Sequence, residues 1–251
     1  MSAATPARRG VADLPLSWAN DAELKRLDAS LGGASERAAA LKAFNALPTE
    51  ANLLFTGYVD LRSADLESST LLAPPVVISE LPASELPAGA AALISISARG
   101  VGMHLGAEAR AAGLTITPLP GNTPLAGAES DRMTALIGAC WNSGTEISLP
   151  SGSITAPIII RIESPAQGEA LLARIAVKLG ENVSTTISEE VTGGSADSGA
   201  TSGPTARALL ATTSEVTLGK GAKLRLASIQ ELPEDVVYLP VRRHSFFPSR
   251  Y

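Results

Sequence analysis

ISLPSGSI (147–154), VKLGENVS (177–184) and VTLGKGAK (216–223) share one form: an apolar residue, any residue, leucine, then Pro or Gly, any residue, and Gly or Asn. The copies are spaced by 30 residues and then by 39. The longer interval holds TGGSADSGATSGPT (192–205), whose Gly, Ser and Thr content gives too little apolar surface to order a core, so it reads as a surface insertion. A strand–corner–strand unit that cannot hide its own apolar face is stable when copies stack on one another. Gly and Asn at the corners suit bends that need positive φ. Along Lys223-Leu224-Arg225-Leu226 the alternation predicts that both leucines point inward and both cations face water. No further helical period follows Gly144. The expectation is an incomplete right-handed parallel β-helix, with a two-sheet antiparallel sandwich as the structural alternative.

Upstream the pattern differs. Leu24, Leu27 and Leu31 fall on one helical face, and Leu41, Phe44 and Leu47 on another. Asn20 with Glu23 three residues on reads as a reciprocal N-cap, Gly32-Gly33 breaks the run and Pro48 closes it, which predicts two short helices. Residues 53–82 are irregular, with Tyr58, Val59 and Leu61 ahead of the acidic Asp65 and Glu67, and an extended Val76-Val77-Ile78. Leu93, Ile94 and Ile96 then predict a strand, Gly106 to Ala112 a helical stretch, and Leu114 to Ile116 another strand, together a small α/β layer. Ser130 or Asp131 caps a further helix carrying Met133, Leu136, Ile137 and Cys140 and ending near Gly144. The chain thus divides into a helical region (1–50), a small α/β segment (51–125) and a β-helical core (126–251), mainly β overall.

Composition narrows the function. A chain of 251 residues that is 45% hydrophobic can bury a substantial core. With 4% aromatics, 22 Gly and 17 Pro, that core rests on aliphatic side chains and many reversals. A net charge of −5 with no basic tract argues against a nucleic-acid groove, because phosphate binding needs clustered Lys and Arg. Arg8-Arg9 and Arg242-Arg243 are pairs, read as solvated surface features. MSAATPARRGVADLP has no apolar stretch of signal-peptide type, and no run approaches membrane-spanning length, so a cytoplasmic protein without membrane contact is expected.

Chemistry-bearing residues are sparse. A lone Cys140 excludes an internal disulfide and any multi-thiolate metal site in one copy, and its place beside Leu136 and Ile137 marks a small buried hydrophobe. His104 and His244 have no second ligand at a suitable spacing. Glu189-Glu190 and Glu231, Glu234 and Asp235 are the carboxylate groupings of the β region. They carry the competing reading, a carbohydrate-active β-helix enzyme, but neighbouring residues on a strand face opposite ways, so Glu189 and Glu190 cannot line one cleft. Gly219-Lys220-Gly221 lacks the third glycine and following helix of a nucleotide loop and reads as a corner. No catalytic, cofactor-binding or metal residue is assigned.

Asp131-Arg132-Met133 with Ala135-Leu136, Gly144-Thr145, Leu149-Pro150 with Gly152, and Pro157-Ile158 follow one another in order. Arg174, Leu179-Gly180, Glu189-Glu190, Gly219, Gly221-Ala222, Leu224 and Ile229-Gln230 continue the series. In that order and spacing, over roughly residues 125–240, the chain resembles the SufB/SufD family of iron–sulfur cluster assembly scaffolds. The helical start is nearer to SufD than to SufB. The resemblance implies a parallel β-helix with an N-terminal helical region, a SufB-like paralogue and a SufC-like ATPase as partners, and a non-catalytic scaffold role in a complex that assembles a cluster. The family's sulfur-handling cysteine, its cluster-assembly residues and its ATPase-docking helices are expected beyond Tyr251, and none is carried over. An uncapped last coil would leave unpaired backbone groups, so the chain alone is expected to aggregate or to be completed by a partner. A truncated product without independent activity is the remaining alternative.

Overall fold

The computed structural model describes residues 16–47, 64, 66–74, 78–194 and 207–246. Two helices open it, α1 (Asp21–Leu31) and α2 (Ala34–Ala46). Asn20 caps α1 by accepting from the Glu23 N–H at 3.0 Å, but the reciprocal half of the expected box is absent, because the Glu23 carboxylate binds Arg26 instead. A guanidinium one turn away offers a charge-assisted bond that a backbone N–H does not match. Gly32 and Gly33 turn the chain with positive φ, and Gly121 packs so close to this turn that neither Gly33 nor Gly121 has room for a side chain. Pro48, Tyr58, Val59, Leu61, Asp65, Val76-Val77 and Arg8-Arg9 lie outside the described residues, as does most of the 192–205 insertion.

Strands follow as β1 (Thr70–Leu71), β2 (Ile78–Glu80), β3 (Ala92–Ser97), β4 (Gly100–Leu105) and β5 (Thr115–Pro118), with a short helix α3 (Ala107–Ala111) before the last. Helix α4 (Arg132–Cys140) is capped by Asp131, whose carboxylate accepts from the Thr134 N–H at 2.7 Å. It stops at Cys140 rather than near Gly144, because Ser143 and Gly144 already belong to the next strand. Seven strands remain: β6 (Ser143–Leu149), β7 (Ile158–Glu163), β8 (Glu169–Leu179), β9 (Ser184–Thr192), β10 (Ala208–Leu218), β11 (Lys223–Glu231) and β12 (Val236–Phe246). Among the described residues no helix follows α4.

The protein is mainly β, in two mixed sheets. Sheet A runs β12-β10-β8-β6-β5, with β1 also on β8, and sheet B runs β11-β9-β7-β3-β4-β2. From β6 onward, consecutive strands alternate between the sheets, and each pairs in parallel with the strand two places on. That pairing overturns the antiparallel sandwich. The strands expected to form a separate α/β layer are divided instead: β3 joins sheet B beside β7 in parallel, and β5 joins sheet A antiparallel to β6.

The sequence repeat is visible in the register. Leu149 lies opposite Leu179, and Leu179 opposite Leu218, so the three copies stack with their corners aligned. The N–H of Gly180 donates to the Leu149 carbonyl at 2.9 Å, and that of Gly219 to the Leu179 carbonyl at 2.8 Å. The Gly-or-Asn column, Gly152, Asn182 and Gly221, has φ of 82°, 57° and 71°. Only glycine, or asparagine with its locally bonding amide, occupies that region cheaply.

Inward side chains of both sheets form one aliphatic core, including Ile147, Ile160, Ile175, Val177 and Ile187. A second core joins α1, α2 and α4 to the outer face of sheet A through Ala170, Leu172, Leu209 and Ala211. At the last strand of sheet B the alternation is only half realised. Leu224 packs on the core, but Leu226, although in register with the buried Ile187, is 37% exposed because no described strand continues the sheet beyond β11.

Candidate functional site

Under the helical cover lies a centre that sequence patterning did not isolate. Trp141, the residue after α4, is buried, and two guanidiniums contact its ring, Arg37 at 4.4 Å and Arg174 at 5.6 Å from the centroid. Arg37 comes from α2 and Arg174 from the outer face of β8; both are essentially without solvent exposure. Arg37 ties three segments together by donating Nε to the Gly32 carbonyl (2.9 Å) and Nη1 to those of Ala139 (2.9 Å) and Trp141 (3.0 Å). Arg174 donates Nη1 to the Thr123 carbonyl at 2.7 Å, and Nη2 to the Glu215 carboxylate at 2.7 Å and the Pro124 carbonyl at 3.2 Å. Among the described residues, Nη2 of Arg37 and Nε of Arg174 have no acceptor. Burial, helped by the like charge of Arg174, pushes the Arg37 guanidinium down to about 10.

A cavity of about 330 Å³ opens beside this centre. Its walls are Ala39, Ala40 and Ala43 of α2, Leu125 and Gly138, and Trp141 and Arg174 also line it, as do the carboxylate-bearing Glu36 and Glu129. Arg132 forms a companion contact at the other side of α2, its guanidinium 4.5 Å over the Phe44 ring and its Nη1 donating to the Leu47 carbonyl at 2.9 Å.

A second polar group interrupts the aliphatic interior between the sheets. Glu189 occupies the inward position opposite Ile160 on one side and Ser228 on the other, and is 2% exposed. It accepts from Arg242 Nη2 (2.5 Å), Ser228 Oγ (3.1 Å) and Ser214 Oγ (3.3 Å), contributions from β12, β11 and β10. Tyr238, a neighbour on β12, bonds Thr212 at 3.3 Å, and burial raises its phenol above the ordinary range. The cluster is a closed ion-pair network; what it accomplishes chemically is to let a carboxylate sit between two sheets without an unpaired charge.

The residues that the sequence put forward do not converge. Cys140 is fully buried in α4, and desolvation pushes its thiol up to about 12 despite the cation at Arg37, so it carries almost no thiolate at neutral pH. His104 on β4 bonds the Leu81 carbonyl through Nδ1 at 3.0 Å, whereas His244 lies on β12, on the opposite sheet. Glu189 and Glu190 do face opposite ways: Glu190 pairs on the outside of sheet B with Arg161 at 2.9 Å. Arg242 and Arg243, expected as a solvated pair, part in the same manner. Arg242 turns inward to Glu189, and Arg243 crosses the outer face to bond Thr134 Oγ1 at 3.2 Å. Asp235 meets Gln167 at 2.6 Å, and Glu231 and Glu234 are exposed. Gly219 and Gly221 are corner residues. Among the described residues no group of three or more His, Cys, Asp or Glu could hold a metal ion, and no helix is long and apolar enough to cross a membrane.

Arg174 had a visible signal, a lone cation inside the apolar run LLARIAV (171–177). Arg37 had none, because an arginine in an alanine-rich helix usually faces water. No family model matches the chain, and no curated protein matches it.

Proposed function

We propose that this chain is a non-catalytic scaffold of the SufB/SufD kind, nearer to SufD, whose alternating strands form a right-handed parallel β-helix. On this reading it works in the cytoplasm beside a SufB-like paralogue and a SufC-like ATPase, and the iron–sulfur cluster is cargo of the complex. The observation that carries the reading is the stacking of the three corner copies, with Leu149, Leu179 and Leu218 in register and positive φ at Gly152, Asn182 and Gly221. A backbone-driven stack with a largely aliphatic interior suits a protein that offers surfaces and sheet edges. Glu189 and Glu190 face opposite sides of sheet B, which supports this reading over a glycan-cleaving one, where two carboxyl groups flank the scissile bond.

Co-expression with a SufB-like protein and a SufC-like ATPase, followed by affinity capture of this chain, tests the proposal. Retention of the paralogue in a defined stoichiometry is the expected result. Capture of neither protein from a well-folded preparation would overturn it.

A further inference from the structure

The cavity beside Trp141 combines features that a packing defect does not explain. Arg174 lines it while being 1% exposed, and of its three nitrogens Nε alone lacks an acceptor among the described residues. Leaving a buried donor unpaired costs on the order of 1–3 kcal/mol, a cost that native interiors ordinarily avoid. Arg37 and Arg174 flank one indole, and Glu215 is the carboxylate bonded directly to either of them. At the indole two guanidiniums thus meet one directly bonded carboxylate, while Glu36 and Glu129 also line the cavity. Much of the cavity wall is apolar, made of Ala39, Ala40, Ala43 and Leu125, with Ser35, Glu36, Thr123 and Glu129 as polar lining. Ala39 and Glu129 are exposed and form a mouth open to water.

We propose that this cavity binds a small organic monocarboxylate, with its carboxylate toward Arg174, its apolar stem along the alanine wall of α2, and an uncharged or cationic far end. About 330 Å³ falls at the small end of ligand sites, which run from roughly 300 to 1,000 Å³. Glu36 and Glu129 set the selectivity. Two carboxylates beside the entrance repel phosphates and other multiply charged anions but tolerate one negative charge paired with a guanidinium. The inference stands apart from the scaffold reading, since it uses the cavity between the helical cover and the outer face of β8 and not the stacked corners.

Titration of the full chain with valerate, 5-aminovalerate and inorganic phosphate decides it. The chain has two tryptophans, so a Trp18→Phe background makes Trp141 the sole indole reporter. Saturable fluorescence changes are expected for both carboxylates, with Kd on the order of 1 mM, and no saturation with phosphate. Arg174→Gln should abolish both responses. Because that variant also loses the contact to Glu215, Ala39→Leu serves as the second arm. It fills the mouth from an exposed helical position, and should weaken binding at least about tenfold without a drop in melting temperature. Failure of both carboxylates to saturate the folded protein would overturn the proposal. So would undiminished binding by Ala39→Leu, or phosphate binding as well as valerate.

Discussion

The two sheets share an interior but not an exterior, and their sequences record the difference. Sheet A carries the helices on its outer face, so β8 and β10 are buried on both sides and read as near-continuous apolar runs, LLARIAV and ALLATT. Sheet B has no helix packed on its outer face among the described residues, and β9 alternates buried and accessible positions along STTISEEVT. From β6 onward both are parallel stacks, and each has one antiparallel pair before it, so strand pairing does not distinguish them. What does is a cover recruited from the N-terminal third of the chain.

The largest predicted effect breaks that symmetry directly. Leu172 points outward from β8 into the helical cover and is fully buried, whereas Ile229 points outward from β11 and is 54% exposed. Leu172→Ala should cost about 3–4 kcal/mol by removing transfer energy and leaving a cavity. Ile229→Ala should stay within about 0.5 kcal/mol. Urea unfolding of the two variants measures both, and equal losses would show that the two outer faces are equally covered.

Where the sheets meet, the comparison turns on charge. Glu189 belongs to sheet B and Arg242 to sheet A, and Arg242→Met strands a carboxylate between them. The expected loss is about 3 kcal/mol, the cost of an uncompensated buried charge. Adding Glu189→Leu should restore most of it, because two apolar groups in place of a buried ion pair are nearly neutral. A double variant as unstable as Arg242→Met would mean that the network contributes by geometry and not by charge.

How much of this was legible in the sequence follows from the range of each interaction. The corner repeat was readable because positive φ restricts residue choice locally, and Gly152, Asn182 and Gly221 obey it. Alternation along β11 gave the correct facing of Leu224, but not the exposure of Leu226, which depends on whether another strand follows. The divided fate of Arg242 and Arg243 was equally invisible, since burial of an arginine depends on partners 53 and 109 residues away. Asn142 makes the same point. It bonds Leu72, Ala170 and Leu172, completing the join between β1 and β8, and no local pattern marks it.

The helical cover also changes the chemistry of what it hides, and pH exposes this. Burial pushes the Cys140 thiol up to about 12 from an ordinary value near 9, so the folded chain keeps a proton that the unfolded chain releases. Its contribution is complete below pH 9 and is lost as pH rises toward 12. Arg37 acts in the opposite sense above about pH 10, where the fold sheds a proton that the unfolded chain holds. The clean window is thus pH 9 to 10, where the wild type should lose about 1 kcal/mol. Cys140→Ala should flatten that slope whatever its absolute stability, and an unchanged slope would assign the alkaline loss elsewhere.

The smallest effect is expected on the bare face of sheet B. Arg161 and Glu190 pair there at 2.9 Å with side chains about a third exposed, in water that screens them and competes for their hydrogen bonds. A double-mutant cycle with Arg161→Ala and Glu190→Ala should give a coupling of about 0.5 kcal/mol, falling as salt is raised. The Glu189–Arg242 pair, one residue along the same strand but turned to the interior, should couple several times more strongly and resist salt. Comparable couplings for the two pairs would mean that the interior at Glu189 is as wet as the outer surface, and the dry column between the sheets would then end at Ile187 rather than pass the carboxylate.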